Sequence, residues 1–339
     1  MEEIKNKQNF SPATGFDVSG LEDYTKENRL PLLAKSILSA HTLDHVTIQG
    51  DCRGNKVAIN ILEVDAPFQD GSQCGFDANG TAKFTQRMIE PKPIKINMSL
   101  CDKDLLKKWN SYEVQVSALP EDKRLPFEEY IMNQLADSIK AKIEKYIWVG
   151  DADTAGQWDG FLTIAAGDAN VNKLEDAAEG TAVYEVIKNV YLATPEEVAD
   201  KDDYEIYVSP SLFRQFIQEL VAANLYHFNP NDDRRTYLLP GTNVPVIALE
   251  GLEGQNVVVA ARKSNLFVGV DMASDSSDIF VGYNKFEREH RIAVEFVMGA
   301  QYAFSDEITM QTIATDDNNG SGTGGGNNSG TQGSQGSQG

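Results

Sequence analysis

Apolar residues recur every four positions over residues 126–149: Phe127, Ile131, Leu135, Ile139 and Ile143, with Tyr130, Tyr146 and Ile147 beside them. This spacing lays a single apolar stripe along a helix. Pro126 suits a first helical position, where its missing N–H is no loss. Glu128 and Glu129 in the first turn, and Lys140, Lys142 and Lys145 further on, complement the helix dipole. No Gly or Pro interrupts the run before Gly150, so a helix of roughly 36 Å is predicted, and the other elements should pack along it.

Ahead of this helix, residues 30–43 predict a short helix through Leu32, Leu33, Ile37, Leu38 and Leu43. Residues 56–64 place Val57, Ile59 and Ile61 on one side of a strand. In residues 94–100, Ile94, Ile96, Met98 and Leu100 alternate with Lys95, Asn97 and Ser99. Between these strands lies a long stretch rich in turn formers, including Asp70-Gly71, Gly75 and Asn79-Gly80. A connection of that length inside a compact domain projects or carries function. The reading is a long hairpin arm based on the two strands, with residues 66–92 adding little to their own subunit's core. Residues 102–112 read as a short helix through Leu105, Leu106 and Trp109.

After the long helix, Thr181 is expected to cap a helix with Val183, Val186, Ile187, Val190 and Tyr191 inward. Residues 204–208 form a strand, and Ser209-Pro210 opens a helix that buries Leu212, Phe213, Phe216, Ile217 and Leu220. From residue 243 the pattern is mostly β, with strands at 244–249, 257–261, 266–270, 278–283, 291–297 and 308–313. Ile292, Val294, Phe296 and Met298 share one face. Residues 317–339 contain no apolar residue and read as a flexible Gly/Ser/Asn/Gln tail.

Composition narrows the function. The 339 residues carry a net charge of −21, which repels phosphate backbones and argues against tight nucleic-acid binding. The N-terminus has no apolar core for a signal peptide, and no apolar run is long enough to span a membrane. Cys52, Cys74 and Cys101 lack metal-ligand spacing and read as free thiols.

The candidate chemistry is thin. Residues 151–162 fit a calcium loop at Asp151, Asp153 and Gly156, but Ala155 and Leu162 stand where two ligands belong. An acidic turn ending the long helix is the better reading. His41 and His45 lie four apart, with no HExxH and no third ligand in sequence. The GxGxxG at residues 320–325 follows no strand and opens no helix, and neither GxSxG nor a P-loop is present. No catalytic, cofactor-binding or metal residues are assigned.

The order of parts is an arm, a long hairpin, a long helix closed by a Trp-rich turn, an α/β segment and returning strands. It resembles the major capsid proteins of tailed double-stranded-DNA phages, with the Hong Kong ninety-seven type of fold. The local text agrees: Cys74-Gly75-Phe76 through Phe84-Thr85-Gln86-Arg87, then Leu100-Cys101 with Leu105 and Trp109. Further on come Ile147-Trp148-Val149-Gly150-Asp151, Trp158-Asp159-Gly160-Phe161, Tyr207-Val208-Ser209-Pro210 and Asn265-Leu266-Phe267-Val268-Gly269-Val270-Asp271. The likeness spans roughly residues 30–313 and looks nearest to capsid proteins of phages infecting gut Bacteroides-type bacteria.

The resemblance implies an α+β fold. An N-terminal arm would occupy residues 1–45 and an extended loop 46–108. A peripheral domain would occupy 109–180 and 286–316 with its spine helix at 126–149. An axial domain would follow at 181–285, and the tail at 317–339. It also implies hexamers and pentamers in an icosahedral shell that encloses DNA without binding it tightly. The expected partners are a portal and a separate scaffolding protein, because the 45 residues before the hairpin leave no room for a built-in scaffold. Assembly would occur in the bacterial host cytoplasm, and the product would be a virion. Phe68, Phe76, Phe84 and Arg87 are the expected inter-subunit contacts, since aromatics and Arg are enriched at interface hot spots. The rival readings are an encapsulin-type nanocompartment on the same fold, a metal-dependent cytoplasmic hydrolase using His41 and His45, and a calcium-binding surface protein built on the Asp151 loop.

Overall fold

The computed structural model describes residues 39–50, 52, 56–68, 79–101, 127–226, 234–271, 278–284 and 286–314. Most of the expected arm, the helix at 102–112, Phe76 and the tail lie outside the described residues. The long helix, α1, runs Phe127–Val149. Its buried line is Met132, Leu135, Ala136, Ile139, Ile143 and Ile147, at the three- and four-residue spacing that keeps one face inward.

Two sheets share α1. The strands of the first are β1 (Thr47–Gln49), β4 (Lys92–Cys101), β10 (Leu266–Asp271), β11 (Asp278–Asn284) and the long β12 (Glu289–Tyr302). Here β12 is the axis, antiparallel to β4 on one edge and to β11 and then β10 on the other, with β1 parallel to β10. Ile292, Val294, Phe296 and Met298 are all buried in one cluster with Ile94 and the α1 stripe.

The second sheet has the order β5-β13-β9-β6-β8-β7. Its strands are β5 (Asn172–Lys173), β6 (Tyr204–Val208), β7 (Thr236–Leu238), β8 (Pro245–Ala248), β9 (Val257–Arg262) and β13 (Thr309–Thr312). Successive side chains of a strand point to opposite faces, and here both faces are covered. Tyr207, Ile247, Val257, Val259 and Ala261 join the cluster of α1. Ile206, Val208, Val246, Ala248, Val258 and Ala260 face α3 (Val183–Ala193) and α5 (Pro210–Ala222). Such two-sided burial explains why these strands read as unbroken apolar runs.

Several expectations need correction. The strand at Lys92–Cys101 forms, but its partner is β12 rather than the strand at Val57–Asp65 (β2). The partner of β2 is β3 (Thr81–Ile89), in register from Val57↔Ile89 to Asp65↔Thr81. β3 carries mostly polar residues, so no apolar alternation announced it. Pro91 and Pro93 flank the crossing from the ribbon to the body sheet. Ile89 is fully buried, so residues 66–92 do contribute to their own subunit's core.

Thr181 caps nothing: its Oγ1 donates to the Ala178 carbonyl. The Val183 and Tyr184 N–H groups instead donate to the Glu219 carboxylate from α5, a remote anion doing the N-terminal task. Ser209 does cap α5, accepting from Leu212 N–H, with Pro210 first in the helix. Helices α2 (Phe161–Gly167) and α4 (Glu196–Ala199) were not foreseen. Of the expected helix at 30–43, the described end is a 3-10 turn, His41–His45. Residues 266–284 contribute strands to the first sheet and Thr309–Thr312 to the second.

Candidate functional site

The ribbon β2–β3 pairs with no other strand among the described residues. Its even-numbered and odd-numbered positions face opposite ways, as the pleat requires. On the inner face Ile59, Ile61 and Ile89 are buried with Ala303 against Phe267 and Phe304. The outer face pairs Ala58 with Met88, Asn60 with Gln86, Leu62 with Phe84 and Val64 with Ala82. Gln86 Nε2 donates to Asn60 Oδ1 at 2.8 Å, while Leu62, Val64 and Met88 are exposed and Phe84 is 77% exposed. Phe68, just past β2, is fully exposed.

Arg87, on the inner face, is held within its own subunit. One guanidinium nitrogen donates to Asp168 Oδ2 at 2.5 Å and to Ser305 Oγ at 2.8 Å, and the other to the Tyr302 carbonyl at 3.3 Å. The guanidinium also lies 4.6 Å from the Tyr302 ring centroid, a cation–π distance. Tyr302 Oη and Ser305 Oγ both donate to Asp168 Oδ2, at 3.1 and 2.8 Å. Arg87 thus makes three hydrogen bonds within its own subunit, while Phe68 and Phe84 stand exposed.

The Arg87 hydrogen bond, with a backbone donation from Asn170, holds the Asp168 carboxyl well below the usual carboxylate range. Burial pushes the Tyr302 phenol up to about 12. A depressed carboxyl stabilises the fold above its unfolded value of about 4, and that contribution is lost as pH falls through the folded value. Acidification from about pH 4 towards pH 1 should therefore loosen this junction in the native chain. Asp168→Asn, which carries no charge to lose, should have a shallower urea-midpoint decline over that range. Parallel declines would refute the assignment.

The second junction is where the N-terminal segment meets the body. Thr42 N–H donates to Glu144 Oε1 at 3.0 Å, Thr42 Oγ1 donates to Oε2, and Trp148 Nε1 donates to Thr42 Oγ1 at 3.1 Å. Glu144 is 1% exposed, and its turn-mate Trp148 is fully buried. A buried carboxylate needs such donors to be tolerated. His45 Nδ1 lies 2.8 Å from Glu205 Oε2, which accepts from Tyr207 Oη at 3.1 Å, and the His41 and His45 ring centroids are 5.1 Å apart. His45 thus packs against Glu205 and Tyr207, and His41 against His45. Among the described residues, no three or more His, Cys, Asp or Glu stand together as a metal site.

The acidic turn after α1 likewise uses its carboxylates on backbone: Asp151 Oδ1 accepts from Asp153 N–H and Asp159 Oδ1 from Ala152 N–H, around Gly156 at φ +81°. Glu144 was legible in principle, four residues before Trp148 on the same helix face. Asp168 and Ser305 carried no signal, since both sit in connections.

The phage capsid family matches residues 116–248, a segment that includes α1 and β6 to β8. No curated protein matches the chain in sequence. In fold the chain is similar to a solved structure of Gordonia phage Cozz, with TM-score 0.57 and 8% identity over 82% of this chain and 87% of that one. The satellite phage P4 procapsid with its size-determination protein gives TM-score 0.54 and 10% identity over 83% and 98%. Microbacterium phage Oxtober96 gives 0.51 and 14% over 81% and 91%. The architecture is the α+β Hong Kong ninety-seven type capsid fold, with peripheral and axial parts.

Proposed function

We propose that this chain, a shell protein of the capsid and encapsulin kind, is a major capsid protein that forms the hexamers and pentamers of an icosahedral phage head. The observation that carries the reading is the apolar outer face of the ribbon. Leu62, Val64 and Phe84 face solvent on a projecting two-stranded element, and such a ribbon is marginal alone in water. A neighbouring copy would cover this face and the exposed strand edges, with Phe68 and Phe84 at the contact. The net charge of −21 suits a wall that confines DNA without binding it. A portal and a separate scaffolding protein are partners in this reading, with assembly in the host cytoplasm and the product a virion. The likeness to phages of gut Bacteroides-type bacteria rests on the sequence segments alone.

Phe84→Asp tests the contact. Because Phe84 is exposed in the subunit, its melting should shift by no more than about 0.5 kcal/mol equivalent, while closed particles, scored by electron microscopy after co-expression with the scaffold, should disappear. Normal shells from this variant would count against the outer face as a contact. Nuclease-resistant double-stranded DNA inside native particles supports the phage reading; an enzyme cargo in its place supports the encapsulin alternative.

A further inference from the structure

We propose that Arg87 and Asp168 form a latch that fixes the pitch of the β2–β3 ribbon on the body, and through it the closure and size of the shell; this rests on the function proposed above. Beyond the short Glu90–Pro91 link into β4, the pitch has few other determinants among the described residues. No strand hydrogen bonds join the ribbon to either sheet among the described residues. Its apolar seat is small, with Ile59, Ile61 and Ile89 against Ala303, and apolar contact is non-directional. A further polar tie from β3 to the end of β12 is Gln301 Nε2 donating to the Met88 carbonyl at 3.3 Å.

Arg87 supplies the direction. Its planar fork meets acceptors on two separate segments, Asp168 after α2 and Tyr302 and Ser305 at the end of β12. A rigid guanidinium fixes orientation in a way a lysine ammonium does not. Asp168 is itself held: its N–H donates to the Ile164 and Ala165 carbonyls that end α2, and its Oδ1 accepts from Asn170 N–H at 3.0 Å. The latch thus connects the ribbon to the helix that follows the spine.

The ribbon is also a lever. From Arg87 to Thr81 it extends about 20 Å at roughly 3.3 Å per residue, so a tilt of about ten degrees at the base moves the far end by about 3–4 Å. Leu62, Val64 and Phe84, the proposed contact residues, lie beyond the latch on that lever. A shift of this size misplaces them against a neighbour without unfolding anything.

Asp168 is off the ribbon, so Asp168→Asn breaks the latch while every proposed contact residue keeps its native side chain. In the purified full-length subunit, amide hydrogen exchange over Thr81–Ile89 should quicken about tenfold, with exchange in β6 and β9 unchanged. After co-expression with the scaffold, shells should become fewer and mixed in diameter where the native chain gives one size. Arg87→Lys, which keeps the charge and loses the fork, should reproduce both effects and serves if Asp168→Asn does not fold. Unchanged exchange in both variants overturns the latch. Faster exchange with native yield and diameter overturns its control of the shell. Faster exchange in a protein whose native form builds no particles upholds the latch and rejects the proposed function instead.

Discussion

Trp148→Ala should destabilise the subunit by about 3–5 kcal/mol, the range for deleting a large buried aromatic. Trp148 is fully buried where α1 meets the second sheet. Its ring centroid lies 5.4 Å from that of Phe161 and 5.3 Å from that of Tyr207. Gly251 leaves room for the indole: a Cβ there would come within 2.5 Å of Trp148 Cδ1. Truncation therefore opens a cavity and strips the Thr42 hydroxyl of its indole donor. Since a domain's net stability is only about 5–15 kcal/mol, the variant should unfold at much lower urea. Trp148→Phe keeps most of the volume and loses the Thr42 hydrogen bond, so about 1 kcal/mol is expected. A loss under about 1 kcal/mol for the alanine variant would mean the site collapses freely around the gap.

Gly160→Ala should be of comparable severity, about 3 kcal/mol, at or above the upper end for overpacking. The turn after α1 folds back so tightly that Gly160 N–H donates to the Gly150 carbonyl at 3.0 Å, and Thr163 Oγ1 donates to the same oxygen at 2.6 Å. A Cβ on Gly160 would sit 2.5 Å from the Trp148 carbonyl carbon and 2.8 Å from Gly150 N. Those atoms are backbone at the end of the spine helix, so no side chain can swing aside. Gly167→Ala is the control: nothing lies within 4 Å of its Cβ position, and alanine in a helix is favoured over glycine by about 0.5–1 kcal/mol. Thermal or urea unfolding of the two variants should move in opposite directions. Equal and small shifts would show that the turn relaxes.

Much of the fold was legible because its signals are periodic. The α1 stripe, the Ser209-Pro210 helix start and the alternation of Ile292, Val294, Phe296 and Met298 each follow from which face of a regular element must avoid water. Leu135, Ile139, Ile143 and Ile147, the Ser209 cap and the β12 alternation are placed as read, whereas Tyr130 is exposed and Met132 is buried where Ile131 was expected. The candidate site was legible only in part. Phe84 is exposed as an interface residue would be, whereas Arg87 is held within the subunit. An arginine's own side chain does not say which acceptors it meets; Asp168 and Ser305 reach Arg87 from far along the chain.

The sequence by itself determined the elements that bury an apolar face: the spine, the helices packed on the second sheet, and the strong strands. It also determined the acidic net charge of −21. The tertiary structure decided the pairings. β4 left β2 for β12, the polar β3 took its place, and the remote Glu219 rather than Thr181 capped α3. The physical reason is range. Periodicity is set by neighbours a few residues apart along the chain. A strand's partner, a helix's remote cap and a guanidinium's acceptors are chosen among groups tens to hundreds of residues away, by whichever arrangement closes the core with its polar groups satisfied.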